Sequence, residues 1–303
     1  MMRRLVFLSL LCLFAGAAQA TKPTVQVLTT FSILADLARE VGGERVVVTS
    51  LVGPDQDAHG FDPRASDIRR LSKADLVIAN GLGFEPWLKR MLAAARYKGQ
   101  VLIAADGIDA LEADEHHAEH DHAGQDDDDK DPHAWLDIRH AQHYVRSIAS
   151  ALSKRDPAGA AHYAQRAKAY LLELDTLDTD LRSRFAALPE ARRTVVTPHD
   201  AFGYFAHAYG LRFVAPAGLS NEASPSAASL ATLIEQLREL KVPVVFLESF
   251  ADERLIERIR TATGARRGGT LYADALASDG PARTYLGLMR HNADTLIAGL
   301  SAP

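Results

Sequence analysis

Cysteine is nearly absent from the 303-residue sequence. The only one, Cys12, lies in an N-terminal segment (residues 1–20) with the three parts of a secretory signal peptide. These are a basic start, an apolar core and a small-residue cleavage site at Ala18–Ala20. Cleavage near Thr21 leaves a chain without thiols, which excludes disulfides and cysteine metal ligands. Any metal ion would therefore be held by nitrogen and oxygen atoms.

Long apolar runs and an excess of positive charge are also missing. Beyond the signal peptide no apolar run reaches the roughly 20 residues of a membrane helix. Small residues do not precede Cys12, so we predict Sec export of a soluble protein without a lipid anchor. The sequence has 34 basic and 39 acidic residues and no basic segment that would predict nucleic-acid binding.

The acidic residues are concentrated in one segment. Residues 112–131 contain ten acidic side chains and one lysine, and too few apolar side chains to form a core. The segment also holds an auxiliary set of candidate metal ligands: His116, His117, His120 and His122. We interpret it as a flexible collector of metal ions. The alternatives are a solvated insertion without function and a tag remnant, because Asp126–Lys130 matches a protease recognition sequence.

Strand and helix patterns alternate through most of the chain, which predicts parallel sheets with right-handed crossovers. Residues 156–188 instead keep apolar residues at helical spacing, which predicts one helix about 45 Å long. We therefore predict an α/β fold of two lobes joined by a rigid helix. The predicted units are an N-terminal lobe (21–154), a linking helix (155–188) and a C-terminal lobe (189–303). Ser32 is predicted to cap the first helix.

Four potential metal ligands each follow the carboxyl end of a predicted strand: His59, His133, His199 and Asp274. Open α/β sheets bind ligands at that edge. Taken singly, each has an ordinary alternative: a turn residue, the end of the histidine-rich run, or a helix cap. Taken together, two ligands from each lobe predict one ion in the cleft between the lobes.

The sequence resembles the zinc- and manganese-binding solute-binding proteins that deliver metal to ABC importers. The resemblance covers essentially the whole mature chain. It rests on these segments: TTFSILADLAREVGG, GPDQDAHGFDPRASDIRRLSKADLVIANGLGFEPWL, DPHAWLD, TPHDAFGYFAHAYGL, VVFLESF, LYADAL and YLGLMRHN. It implies a periplasmic protein of two α/β lobes that holds one ion between them. The family's ligand positions fall on His59, His133, His199 and Asp274.

The donor set favours zinc, because imidazole suits zinc whereas manganese prefers oxygen. The resemblance also implies a glutamate in place of His199 in manganese-selective proteins. Glu248 is a candidate acceptor that orients a histidine ligand. The expected partner is a membrane permease of an ABC transporter, with a periplasmic zinc metallochaperone as a further candidate, and we expect a monomer.

No catalytic residues are predicted. A shell of four protein ligands leaves no open position for the metal-bound water that hydrolysis requires. We therefore expect a binding protein and not an enzyme. The alternative functions are a zinc-dependent hydrolase and a solute-binding protein specific for manganese or iron.

Overall fold

The structure, a computed structural model, describes residues 24–112, 130–216, 218–219, 226–240, 242–249 and 253–302. Within these ranges the chain forms two four-stranded sheets, and every strand pair is parallel. Both sheets have the same arrangement, in which the second strand along the chain lies outside the first. The prediction of two α/β lobes with parallel sheets is confirmed.

The N-terminal sheet has the strand order β2-β1-β3-β4. Of its inner strands, β3 is apolar and buried at every position, and β1 is buried at every position except Gln26, as expected for a sheet covered by helices. The elements are β1 (Val25–Thr29), α1 (Ser32–Gly42), β2 (Val46–Ser50), α2 (Ala65–Leu71), β3 (Leu76–Ala79), α3 (Leu88–Ala94) and β4 (Gln100–Ile103).

Two long helices follow, α4 (Ile138–Arg155) and α5 (Ala160–Ala186), and they pack against each other. The 27 residues of α5 span about 40 Å. This helix begins later than predicted. Pro157 cannot continue α4, and the three residues Pro157–Gly159 form a 3-10 turn before α5 starts at Ala160. The carboxylate of Asp156, beside that proline, accepts hydrogen bonds from Arg45 and Tyr163 and holds the break in place.

The C-terminal sheet has the order β6-β5-β7-β8. Its central strand, β7, is buried at every position. The elements are β5 (Thr194–Val196), α6 (Gly203–Tyr209), β6 (Arg212–Val214), α7 (Ala227–Glu239), β7 (Val244–Glu248), α8 (Glu253–Thr263), β8 (Arg266–Leu271) and α9 (Tyr285–Ser301).

The larger of two hydrophobic clusters in the described residues runs through both lobes, and the smaller lies in the C-terminal lobe. The larger cluster includes Trp135 before α4, Phe185 on α5, Phe246 on β7 and Tyr285 on α9, all fully buried. A continuous core resists large relative movements, because opening it would expose close-packed apolar surface. Across the described ranges, no helix is both long and apolar enough to cross a membrane.

The prediction that Ser32 caps α1 is wrong. The residue before the helix is Phe31, and it makes no side-chain capping bond. The hydroxyl of Ser32 instead accepts a hydrogen bond from the backbone N–H of Leu276, at 2.9 Å. Because Leu276 follows β8, this buried bond links the two lobes.

Candidate metal centre

The four predicted ligands lie in four different connections. His59 lies between β2 and α2, and His133 lies before a 3-10 turn that leads into α4. His199 follows β5, and Asp274 follows β8. The structure brings all four together at the facing carboxyl edges of the two sheets, and one ligand atom from each lies within 4.8 Å of the others.

The spacing of the ligand atoms suits a small cation. The Nε2 atom of His133 lies 3.3 Å from Nε2 of His59 and 3.3 Å from Oδ1 of Asp274. The other oxygen, Oδ2, lies 3.3 Å from Nε2 of His199 and 3.8 Å from Nε2 of His59. Zinc–nitrogen bonds of 2.0–2.1 Å arranged as a tetrahedron give ligand–ligand distances of about 3.3–3.4 Å. Three of the four distances therefore fit a tetrahedral zinc site, and the fourth, between His59 and Asp274, is longer.

The centre is almost fully enclosed. The side chains of His133 and His199 are inaccessible to solvent, whereas that of His59 is 9% exposed. Nε2 of His199 and both oxygens of Asp274 are buried without a hydrogen bond of normal geometry. Buried polar atoms without partners are costly, and a bound cation would satisfy all three of these atoms.

Two carboxylates orient two of the imidazole rings from behind. Oδ1 of Asp131 lies 2.7 Å from Nδ1 of His133 and also accepts a bond from the His133 backbone N–H. Glu248, the acceptor suggested by the sequence, contacts Nδ1 of His199 through its carboxylate. Each contact leaves Nε2 directed at the centre, as in carboxylate–histidine–zinc arrangements. The contact of Asp131 with His133 was not predicted from the sequence, although Asp131 lies only two residues before His133.

The three histidines of the centre have different pKa values because their burial and their charged neighbours differ. Burial lowers the pKa of His59 to about 3. Burial also disfavours protonation of His133, but the hydrogen bond to Asp131 and the negative charges of Asp131 and Asp274 outweigh it and raise the pKa to about 9. The pKa of His199 likewise lies well above its ordinary value, because the charges of Glu248 and Asp274 outweigh burial. The pKa of Asp274 is held well below its usual range: burial opposes ionisation, but the neighbouring histidines overcome it.

Aromatic rings and a buried amide support the ligands from the N-terminal lobe. Phe84 packs edge-on against His59, with ring centroids 4.7 Å apart, and Trp135 packs similarly against His133 at 5.3 Å. The side-chain amide of Asn80 donates to the carbonyl of Pro132 at 2.9 Å, which anchors the backbone beside His133. The apolar rings lower the local dielectric and strengthen electrostatic attraction for a cation.

The other histidines of the described ranges lie outside this centre. Three of them, His143, His162 and His291, each contact a backbone carbonyl through Nε2. The four histidines of the acidic segment lie outside the described residues. Within the described part of the chain, no other group of three or more potential ligands meets the same distance limit.

The sequence is similar to metal-binding proteins over most of its length. It is 34% identical to the manganese-binding lipoprotein MntA of Halalkalibacterium halodurans, over 91% of this chain and 89% of that protein. It is 32% identical to the zinc-binding protein TroA of Treponema pallidum, over 94% of this chain and 91% of that protein. The iron-binding protein YfeA of Yersinia pestis is also 32% identical, over 92% of this chain and 87% of that protein.

Solved structures show the same fold. The periplasmic zinc-binding protein TroA superimposes with a TM-score of 0.82 at 30% identity, covering 91% of this chain and 99% of that one. A manganese-bound periplasmic metal-binding protein from Candidatus Liberibacter asiaticus superimposes with a TM-score of 0.79 at 28% identity, covering 91% of this chain and 100% of that one.

Residues 27–299 match the family described as zinc-uptake complex component A, periplasmic. This match covers nearly all of the chain outside the predicted signal peptide. The family consists of solute-binding proteins of ABC metal transporters, so the hydrolase alternative is excluded and the prediction of a non-enzyme is confirmed. The chain belongs to this family of periplasmic metal-binding components of ABC transporters.

Proposed function

We propose that this protein captures Zn(II) with His59, His133, His199 and Asp274 and delivers it to the membrane permease of an ABC transporter. The observation that carries the proposal is the convergence of three imidazole nitrogens and one carboxylate, in which three of the distances between ligand atoms are 3.3 Å, as expected for a tetrahedral zinc site. Two ligands come from each lobe, so ion binding and the relative position of the lobes are coupled.

Similarity alone does not select the metal, since the related proteins are named for manganese, iron or zinc. The donor set supports zinc, because three nitrogen donors suit zinc better than manganese. Asp131 and Glu248 add to this preference by making His133 and His199 stronger electron donors.

Competition between metals tests the assignment. The purified mature chain is offered equal zinc, manganese and nickel, and the metal retained after gel filtration is quantified by mass spectrometry. We expect one zinc per chain in the wild type and loss of tight binding in His199→Ala. His291→Ala is the matched control, because His291 contacts the carbonyl of Thr270 away from the centre. Retention of manganese over zinc by the wild type would overturn the metal assignment.

The acidic segment is proposed to collect zinc through His116, His117, His120 and His122 and to pass it to the centre. Both ends of the segment are described. Glu112 and Lys130 form an isolated antiparallel bridge and an ion pair, and the segment ends at Asp131, the residue that contacts His133. A collector at this position would raise the local zinc concentration beside the centre and speed loading more than it tightens binding.

Replacing residues 113–129 by Asn-Gly tests the collector, because this dipeptide suits a two-residue connection across an antiparallel pair. We expect one tight zinc site to remain and the uptake of zinc at low concentration to slow in stopped-flow measurements. Unchanged uptake would refute the collector. Loss of tight binding would instead show that the ion is held by the segment.

The proposal includes export without a lipid anchor, a monomeric state and the permease as partner; a zinc metallochaperone is a further candidate for loading. Cys12 lies inside the apolar part of the predicted signal peptide, which supports cleavage near Thr21. Mass spectrometry of the exported protein tests the first point, and light scattering tests the second. An acylated N-terminus or a stable dimer would contradict them.

A further inference from the structure

Two loops that carry ligands from opposite lobes are joined at the rim of the metal centre. The backbone N–H of Asp55 donates to the carbonyl of Leu276 at 2.9 Å. The carboxylate of Asp55 accepts from the backbone N–H of Ser278, also at 2.9 Å. We call this pair of bonds the rim clasp. Asp55 precedes His59 on one loop, and Leu276 follows Asp274 on the other.

Asp55 is the only side chain of the rim clasp, since its two partners are backbone groups. Its φ of 54° lies in the left-handed region, which most residues avoid but which aspartate tolerates better than most. This conformation directs both its N–H and its carboxylate at the C-terminal lobe. Asp55 and Ser278 are exposed, so water can replace their hydrogen bond when the loops separate.

The clasp restrains the loop that carries Asp274. Leu276 is held from both sides by the N-terminal lobe, because its carbonyl accepts from Asp55 and its N–H donates to Ser32 inside the protein. An ion that leaves the enclosed centre requires Asp274 to move away from the histidines of the N-terminal lobe. That movement is restrained first by the bonds at the exposed rim.

We propose that Asp55 is a positioning residue that sets the rate at which the bound metal is released. The inference rests on the proposed function. Asp55 does not touch the ion; it acts by keeping the loop of Asp274 against the loop of His59. Loss of its carboxylate removes one charge-assisted hydrogen bond from the closed state and leaves the four ligands in place. The expected consequence is a metal dissociation rate about tenfold higher.

The test compares two substitutions at this position in the full mature chain. Asp55→Gly keeps the left-handed backbone and the N–H and removes the acceptor. Asp55→Asn keeps an acceptor and tolerates the same backbone conformation. Each protein is loaded with one equivalent of zinc and mixed with excess chelator, and zinc release is followed by stopped flow. We expect release about tenfold faster in Asp55→Gly and close to the wild-type rate in Asp55→Asn.

Arg96→Gly is the matched control for introducing glycine. Arg96 is exposed, has a φ of 49°, and lies between α3 and β4, at the opposite edge of the sheet from the metal centre. Thermal unfolding of each metal-free variant verifies that it folds.

Three results would overturn the proposed role of Asp55 in metal release while leaving the proposed function intact. They are an unchanged release rate in Asp55→Gly, equally fast release in Asp55→Asn, and equally fast release in Arg96→Gly. A wild-type chain that retains no zinc would overturn the proposed function, and the clasp with it.

Discussion

Zinc binding by this centre is expected to release about two protons per ion near neutral pH. In the metal-free protein the pKa of His133 is raised to about 9 and that of His199 lies well above its ordinary value, so both rings carry a proton at pH 7. His59, with a pKa of about 3, is already neutral. Histidine must be neutral to bind a metal ion, so zinc displaces the protons of His133 and His199.

The sign and size of the pH dependence follow from these two protons. The metal-free form binds them and the zinc form does not, so the affinity for zinc rises with pH. Each pH unit changes the association constant about 100-fold, which corresponds to about 2.7 kcal/mol. The dependence should hold between pH 5.5 and 8, above the pKa of His59 and below that of His133.

Titration calorimetry in two buffers with different ionisation enthalpies counts the protons released. Competition with a chelator from pH 5.5 to 8, corrected for protonation of the chelator, measures the slope independently. Asp131→Asn is the informative variant, because it removes the negative charge beside Nδ1 of His133 and lowers the pKa of that ring. The variant should release about one proton fewer at pH 7. A wild-type value below one proton, or the same value in both proteins, would refute the reasoning.

Three other substitutions test buried contacts at the centre and in the core. Glu248→Gln removes the charge that contacts His199 and should weaken zinc binding by about 10- to 100-fold in chelator competition; unchanged affinity would contradict this role. Burial raises the pKa of Asp36 to about 6, so the folded state loses stability as pH rises from about 4 to 6. Asp36→Asn retains an acceptor for the N–H of Tyr285 and should be about 3 kcal/mol more stable than wild type to urea at pH 8, with little advantage at pH 4. Equal stability at pH 8 would count against this reasoning. Trp135→Phe leaves a buried carbonyl without its donor and should lower the free energy of unfolding by about 1–3 kcal/mol, so an unchanged urea midpoint would be inconsistent with that bond.

The architecture could be predicted because its signals are local. Apolar runs such as Leu76–Ala79 predict buried strands, and helical spacing predicts the long helix α5. Parallel strands place their carboxyl ends at one edge, so residues that follow four strands could be expected to meet. The break before α5 has a local signal in Pro157, but the contact of Asp156 with Arg45, 111 residues away, could not be predicted.

The roles of several residues around the centre could not be predicted, because they depend on contacts between distant segments. Ser32 has the sequence context of a helix cap, but its hydroxyl binds the N–H of Leu276. Asp55 has the context of a turn residue, and only the packing of the lobes brings it to Ser278.

The amino-acid sequence alone determined the two α/β lobes, the helix between them and the four ligand types, because periodicity and position after a strand are properties of adjacent residues. The tertiary structure decided which atoms face the candidate metal centre, which carboxylates contact the imidazoles and which hydrogen bonds join the loops at its rim. These depend on distances of about 3 Å between residues as many as 244 positions apart, which only the packed core sets.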